Sequence, residues 1–178
     1  IIVTKSSNMT SNRVMEGKNV PVTYYFQVEH AGPAGDVLTI TDLTDSVFGD
    51  LTQVGEHVLF TTCGLPAPTM TNIGDTVNCE IRTKLNLNAN DKHHVNIATG
   101  RVVNQFAVTA MDDSPAYNLT IIDQAPAIRV VKSANVTELI STGEWVEFRM
   151  VVTHMGPRDN DPVTLDAAWD DQAGDMVD

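Results

Sequence analysis

Apolar and polar residues alternate along several short segments of this chain. The clearest segment has apolar side chains at every second position, namely Val22, Tyr24, Phe26 and Val28. The same period of two occurs over residues 77–81 and 106–110. A period of two places the apolar side chains on one face of a strand. Each segment therefore predicts a β-strand with one buried face.

Turn-forming residues separate these segments. They cluster at Gly32-Pro33, Gly49-Asp50, Gly64 to Pro68, Asn72 to Asp75, Asn88 to Asp91 and Asp112 to Pro115. The chain is rich in Val, Ile and Thr, which suit strands, and no segment shows the pattern of a capped amphipathic helix. About seven short strands in the first two thirds of the chain predict an all-β fold, an immunoglobulin-like antiparallel β-sandwich.

The two ends of the chain resemble each other. The matched pairs are Lys5 with Lys132, Asn8 with Asn135, Val22 to Pro33 with Val146 to Pro157, and Gly49-Asp50 with Gly174-Asp175. Their separations stay between 124 and 127 positions. Conserved order and spacing indicate tandem repeats, with the second copy incomplete.

This repeat predicts the domain organisation. Residues 1–123 form the first sandwich, residues 124–127 form a short linker stiffened by Pro126, and residues 128–178 form the partial second copy. So short a linker predicts modules held end to end in a rod. Two or three strands cannot close a sandwich, so we expect further chain or a neighbouring molecule to complete the second copy. The chain opens at Ile1 without an initiator methionine or signal peptide, and we expect an excerpt of a longer protein or, as the alternative, a mature processed product.

One string is recognisable, Leu-Thr-Asp-Ser-Val-Phe-Gly-Asp-Leu at residues 43–51. With Val22-Thr23-Tyr24 before it and residues 63–67 after it, it resembles a family of tandem immunoglobulin-like extracellular repeats of unknown function. These repeats occur in surface proteins of bacteria, archaea and algae. The resemblance covers most of residues 1–123 and the start of the second copy, where residues 168–175 replace the Val-Phe pair. It implies stalks, adhesins or filaments, and it carries no catalytic motif.

The net charge of the chain limits the classes of partner that it is expected to bind. The 178 residues contain 11 basic and 23 acidic side chains, a formal net charge of −12. A surface this negative repels phosphate backbones and argues against nucleic-acid binding, while it favours cations. No apolar run reaches the length of about 18 residues that a membrane-spanning helix needs.

Cys63 and Cys79 are the two cysteines of the chain. An even number of cysteines in a chain that looks extracellular favours one disulfide. Members of the resembled family often carry cysteines at these two places. Two buried thiols are the alternative, and a metal site is disfavoured because no Cys-x-x-Cys pair or histidine cluster accompanies them.

Three Asn-x-Thr sequences are acceptors for N-glycosylation: Asn8, Asn118 and Asn135. Chance alone predicts about two such sequences in this composition, so their positions matter more than their number. Asn8 and Asn135 occupy equivalent places in the two copies. Asn118 is expected to point outward if Leu119 and Ile121 point inward.

Several acidic residues lie near predicted turns. The calcium candidates are Asp45, Asp50, Asp112 and Asp113, and further carboxylates occur in the second copy at Asp166, Asp170, Asp171 and Asp175. Calcium needs six to eight oxygen ligands. Because the EF-hand pattern is absent, solvated turn carboxylates are the commoner explanation, and calcium is the alternative.

The histidines do not predict catalysis. His93 and His94 are adjacent on a predicted strand, so they point to opposite faces and cannot chelate together. His30 and His154 recur before Gly-Pro, where a structural role at a strand end explains both. We expect no enzyme activity and no obligatory cofactor.

We therefore expect a structural extracellular glycoprotein, a subunit or segment of a surface fibre or stalk. Self-association through strand edges or a donor strand is the expected contact. One alternative is an adhesin or carbohydrate-binding module, for which Trp145 and Trp169 are the aromatic candidates. Another is an accessory β-domain of a secreted enzyme.

Overall fold

A computed structural model describes residues 1–138, 143, 145–156 and 163–176. The chain divides into two compact units, Ile1–Asp123 and Gln124–Asp178. The described residues are almost entirely in strands and turns, apart from two single turns of 3₁₀ helix at Thr10–Asn12 and Ala89–Asp91. The predicted all-β class is confirmed. Pro157, which closes the matched segment of the second copy, lies outside the described residues.

The first unit contains eleven strands. In chain order they are β1 Ile2–Ser7, β2 Arg13–Met15, β3 Gly17–Glu29, β4 Leu38–Asp45, β5 Gly49–Asp50, β6 Phe60–Thr61, β7 Thr76–Leu87, β8 His93–Asn96, β9 Ala98–Asn104, β10 Thr109–Asp113 and β11 Tyr117–Ile122. Three of them, β2, β5 and β6, have only two or three residues, which is too few to show an alternation, so the expected number of about seven was too low.

Long strands build the first sheet, in the order β1-β3-β7-β6. All its pairings are antiparallel, with Tyr24 of β3 opposite Ile81 of β7. Val22, Tyr24, Phe26 and Val28 are all fully buried. The apolar residues of β3 thus point inward, as the sequence predicted, because one side of this sheet covers the core.

A second antiparallel sheet, β10-β9-β4-β5, supplies further core residues such as Ile40 and Val102. The register of β4 against β9 shifts between Ile40 and Asp42. This irregularity changes the phase of β4, so that Leu38 and Ile40 are buried before it and Leu43 and Asp45 after it. One core cluster contains residues from both sheets, and this is compatible with a β-sandwich.

A third sheet, β2-β11-β8, departs from the antiparallel expectation, because β2 runs parallel to β11. Residues Ser11 and Asn12, just before β2, have positive φ angles of 53°. They turn the chain so that β2 lies beside β11, with Val14 opposite Ile121.

The strand predicted over residues 106–110 is wrong at its start. Residues 105–108 form a turn between β9 and β10, and Phe106 and Val108 are exposed. The side-chain oxygen of Asn104 accepts hydrogen bonds from the backbone N–H groups of Phe106 (3.0 Å) and Val108 (2.9 Å). An asparagine that closes a turn in this way outweighs a short apolar alternation. Asp112 and Asp113, expected in a turn, belong to β10.

The second unit contains four described strands: β12 Ile128–Ala134, β13 Phe148–His154, β14 Trp169–Asp170 and β15 Gly174–Asp175. They form two antiparallel pairs, β12-β13 and β14-β15. Val130 lies opposite Val152, just as Val3 lies opposite Val28 in the first unit. Residues 124–127 belong to no strand.

Candidate functional site: a buried lysine, carboxylate and amide

Lys5 lies inside the first unit, although it is charged. It follows Val3 at the inward phase of β1, opposite Phe26 of β3. Its amine donates a hydrogen bond to Oδ2 of Asp45, and the two side chains are completely buried. Asp45 comes from β4, where the register shift described above turns it inward. A buried charge of this kind is tolerated only when it is paired.

Three aromatic rings surround the amine. Lys5 Nζ lies 4.5 Å from the ring centre of Tyr24 and 5.4 Å from those of Phe26 and Phe48. The rings of Tyr24 and Phe48 are in contact, with 5.3 Å between their centres. Such rings attract a cation through their quadrupoles and also exclude water. The amine is therefore held between one carboxylate and an apolar cage.

The other oxygen of Asp45 organises its surroundings. Oδ1 accepts backbone hydrogen bonds from Val47 (2.9 Å) and Phe48 (3.2 Å), which fixes the turn between β4 and β5. It also accepts a hydrogen bond from Nδ2 of Asn96 at 3.4 Å. The amine of Lys5 and the carboxamide of Asn96 therefore meet on the two oxygens of the same carboxylate.

Asn96 lies at the end of β8 and is fully buried. Its carbonyl oxygen Oδ1 and the hydroxyl of Tyr24 are buried without a hydrogen-bond partner among the described residues. The two groups are close enough to interact, since a hydrogen bond with Asn96 opposes the rise in the pKa of Tyr24, but neither atom has a partner of good geometry. Buried polar atoms nearly always have one, so this arrangement needs an explanation.

Burial changes the acid–base properties of this cluster. Loss of hydration lowers the pKa of Lys5 to about 8, and Asp45 opposes that shift through its hydrogen bond and its charge. Burial also raises the pKa of Tyr24, with smaller contributions from the charge of Asp45 and from Tyr117. Lys5 thus exchanges its proton at a much lower pH than an exposed lysine, and a neutral lysine is a nucleophile.

The second unit contains a similar pair. Lys132 donates a hydrogen bond to Oδ2 of Asp170 and lies 4.5 Å from the ring centre of Phe148. Oδ1 of Asp170 accepts backbone hydrogen bonds from Gln172 (3.0 Å) and Ala173 (3.1 Å). The hydrogen bond from Lys132, followed by these backbone bonds, lowers the pKa of Asp170 to about 2. Unlike Lys5, the side chain of Lys132 remains 38% exposed.

The predicted disulfide is present between Cys63 and Cys79, with 5.0 Å between their Cα atoms. It ties the segment after β6 to the first half of β7. Cys63 belongs to the buried core, and Cys79 packs against it. No free cysteine is left in the chain.

The three glycosylation candidates are exposed. Oδ1 of Asn8 accepts a hydrogen bond from the backbone of Thr23 (3.0 Å), and Oδ1 of Asn135 accepts the corresponding bond from Glu147 (2.9 Å). These bonds use the amide oxygen, whereas a glycan is attached to the amide nitrogen. Asn118 is exposed while Leu119 is buried, as the alternation predicted.

The calcium candidates do not form a cluster. Asp45 pairs with Lys5, Asp50 accepts hydrogen bonds from Thr52, Asp112 accepts one from the backbone of Val3, and Asp113 accepts one from Thr99. Each carboxylate thus has a local structural partner. Among the described residues, no group of three or more histidine, cysteine or acidic side chains is arranged to hold a metal ion. In the second unit, Asp170 pairs with Lys132 rather than with its acidic neighbours.

His93 and His94 point to opposite faces of β8, His93 outward and His94 half-buried. Burial, followed by the nearby charge of Lys5, lowers the pKa of His94. His30 is fully buried at the end of β3, where its ring nitrogens contact the Asp36 carbonyl (3.0 Å) and the Gly32 N–H (3.1 Å). His30 therefore has the structural contacts expected of it.

The cluster of Lys5, Asp45 and Asn96 was not predicted from the sequence. Two signals pointed towards it: the inward phase of Lys5 in β1, and the recurrence of this lysine as Lys132. The sequence suggested a solvated turn carboxylate or a calcium ligand for Asp45, whereas the structure buries this side chain completely. Nothing in the sequence singled out Asn96. Asn96 lies 51 positions from Asp45, and only the fold brings them together.

No protein-family model matches this chain, and no curated protein sequence matches it. The resemblance to tandem extracellular repeats stays a prediction. Within the described residues, the structure has no helix of the length and hydrophobicity that crossing a bilayer requires.

Proposed function

We propose that this chain is part of a structural extracellular protein, a segment of a surface fibre or stalk assembled from immunoglobulin-like modules. The observation that carries the proposal is the exposed apolar face of β12 and β13. Val130 and Val152 are 53% and 39% exposed, whereas their counterparts Val3 and Val28 are each 1% exposed. The second unit thus contains a pair of strands equivalent to β1 and β3, but the valines that are buried in the first unit are exposed in the second.

Such a face needs a partner. Phe148, on the same side of β13 as Val152, is also exposed, and an apolar sheet face open to water is unfavourable by about 25 cal/mol for each Å². Further strands of a longer chain would bury it, and so would strands from another copy, added as in donor-strand assembly. Contacts of this head-to-tail type propagate into open filaments.

An extracellular location is supported by the disulfide, because disulfides persist mainly in oxidising compartments. Exposure of all three Asn-x-Thr acceptors agrees with it. Glycosylation can be tested on material secreted by a glycosylating host. Enzymatic deglycosylation in ¹⁸O-water converts each occupied asparagine to labelled aspartate, and peptide mass spectrometry should find the label at Asn8, Asn118 and Asn135. Secreted protein without label at any of them would contradict this part of the proposal.

Self-association is the decisive test. In sedimentation velocity the chain should form larger species as its concentration rises. Val152→Asp should abolish these species, because it places a charge on the face that is covered. Val151→Asp is the matched control: the neighbouring valine is equally exposed but lies on the opposite face of β13.

A chain that stays monomeric throughout the accessible concentration range would contradict the proposal. So would equal effects of the two substitutions. Tryptophan fluorescence and far-ultraviolet circular dichroism of both variants check that the second unit keeps its structure, because both tryptophans, Trp145 and Trp169, belong to it.

A carbohydrate-binding or adhesive function is the second candidate. Trp145 and Trp169 are 94% and 75% exposed, an unusual state for such large aromatic side chains. Sugar rings stack on exposed aromatic faces. Binding to a glycan array that is lost on Trp169→Ala, together with an unchanged sedimentation profile, would favour this function over assembly.

A further inference from the structure

We propose that Lys5 and Asn96 become joined by an intramolecular amide bond between their side chains, with Asp45 as the proton-transfer group. The bond would link β1 to β8 through the core of the first unit. The inference is independent of the proposed assembly, because it rests on groups within one unit.

The groups that the reaction requires meet at Asp45. Formation of an amide from a lysine and an asparagine needs an amine, a carboxamide and a group that moves protons between them. Asp45 contacts both partners, with Oδ2 accepting from Lys5 Nζ and Oδ1 accepting from Asn96 Nδ2 at 3.4 Å. The carboxylate therefore lies where a proton leaving the amine can be passed to the departing nitrogen.

Water is excluded from these three side chains. The side chains of Lys5 and Asp45 are completely buried, and Asn96 is 1% exposed. The rings of Tyr24, Phe26 and Phe48 line the amine. Without water, hydrolysis does not compete with attack by the amine, and the charged form of lysine loses its hydration. The lowered pKa of Lys5 reflects this loss.

The carbonyl oxygen of Asn96 is buried without a hydrogen-bond partner of good geometry among the described residues. When the proton of Lys5 passes to Asp45, the neutral carboxyl group becomes a donor. A half-turn about the Cβ–Cγ bond of Asn96 would place Oδ1 where Asp45 now accepts from Nδ2. The protonated carboxyl could then donate to Oδ1 and polarise the carbonyl for attack. The reaction thus gives the orphaned acceptor a partner.

The step balances without any further reactant. Neutral Lys5 Nζ attacks Cγ of Asn96 and forms the new C–N bond. One proton leaves Nζ and, through Asp45, reaches Nδ2. The bond between Cγ and Nδ2 then breaks, and ammonia departs. Asp45 keeps the first proton that Lys5 gave up, so it ends as a neutral carboxyl group that can donate to the new amide oxygen. Nothing is oxidised or reduced, and the net change is the loss of one ammonia from the chain.

The test is the intact mass of the full chain, made in a host without N-glycosylation and measured after reduction of the disulfide. The proposal requires a mass about 17 Da below that of the sequence, the mass of one ammonia. Tryptic digestion should release a branched peptide, in which the segment containing Lys5 and ending at Arg13 is joined to residues 93–101. Trypsin should not cleave after Lys5, because the modified side chain has lost its charge.

Substitutions localise the reaction. Lys5→Arg, Asp45→Ala and Asn96→Ala should each restore the full mass. Lys132→Arg is the matched control, because it alters the equivalent lysine in the second unit and should leave the deficit unchanged. The branched peptide of the unaltered chain decides the question even if a variant fails to fold.

Three results would overturn the inference. The full sequence mass in the unaltered, folded chain would show that Lys5 and Asp45 form only an ion pair. A deficit of about 18 Da, the mass of water, would indicate direct condensation of Lys5 with Asp45. A deficit of about 17 Da that persists in Lys5→Arg would place the loss of ammonia elsewhere in the chain.

Discussion

Replacement of Asp45 by alanine should leave Lys5 as an unpaired amine in the core, and its energetic effect can be bounded from the pKa. The upper bound is the free energy of deprotonating Lys5, because a buried lysine without a partner can be accommodated in its neutral form. At pH 7, deprotonation from the unfolded-state pKa of about 10.5 costs about 5 kcal/mol. At pH 10 the same step costs about 0.7 kcal/mol.

The sign of the pH dependence follows from linkage. Burial lowers the pKa of Lys5 in the folded state, and loss of Asp45 removes the group that opposes this shift. Below the unfolded-state pKa, the unfolded chain of the Asp45→Ala variant therefore binds a proton that the folded chain does not hold. Its stability should rise with pH between neutrality and about 10.

The informative comparison is Asp45→Ala against Asp45→Ala with Lys5→Met. Neither variant can form the proposed crosslink, since both lack Asp45, so their difference isolates the orphaned amine. Methionine fills a similar volume and packs well against the three rings. The double variant should be more stable by about 4 kcal/mol at pH 7 and by less than about 1 kcal/mol at pH 10.

Urea denaturation at the two pH values measures this difference. All three tyrosines lie in the first unit and both tryptophans in the second, so near-ultraviolet circular dichroism of tyrosine and fluorescence of tryptophan follow the units separately. The matched pair is Asp170→Ala with and without Lys132→Met. Lys132 is 38% exposed, so its removal should bring no comparable gain. Equal stability of the two Asp45 variants at pH 7, or a gap that does not narrow at pH 10, would refute the reasoning.

Three further predictions concern the first unit. Cys63→Ala with Cys79→Ala should lower the free energy of unfolding by about 3 kcal/mol, from the loop-closure entropy of a loop of about 17 residues; an unchanged urea midpoint would contradict it. Burial lowers the pKa of His94, so the stability of the first unit should fall as the pH drops below about 6.5. His94→Phe should therefore reduce the loss of melting temperature at acid pH. An unchanged loss in this variant would show that other groups cause it. Gly100→Ala should lose about 1–3 kcal/mol in urea denaturation, because its Cβ would lie 2.9 Å from Cγ2 of Val3; wild-type stability would mean that β1 yields to the added methyl group.

The strands could be predicted where apolar alternation was long and uninterrupted. The inward face of β3 is such a case, because the alternation there covers Val22 to Val28 and matches the burial in the structure. The segment at Phe106 failed because Asn104 closes a turn with its side chain, and so local a competition is not visible in the alternation. The parallel pairing of β2 depends on contacts with β11, which is distant in the sequence.

The candidate site was harder to predict because its groups have ordinary local explanations. Asp45 accepts the backbone hydrogen bonds of the turn at Val47 and Phe48, so it does lie at a turn, but it is buried there and not solvated as expected. The side chain of Asp45 points inward because of the register shift in β4, and this shift cannot be predicted from the alternation of apolar and polar residues. The alternation in β1 places Lys5 on the inward side of the strand, whereas charged residues are rarely buried, so the two indications for this side chain were opposite. The ion pair with Asp45, which lies 40 positions away in the sequence, is what makes this burial possible.

The two units show what burial adds to the same local arrangement. Lys132 and Asp170 repeat the ion pair and the turn of Lys5 and Asp45, but the lysine of the second unit remains accessible to water. In the first unit a facing sheet covers the pair and β8 brings Asn96 to it. Under the proposed assembly, whatever covers Val130 and Val152 would also cover Lys132.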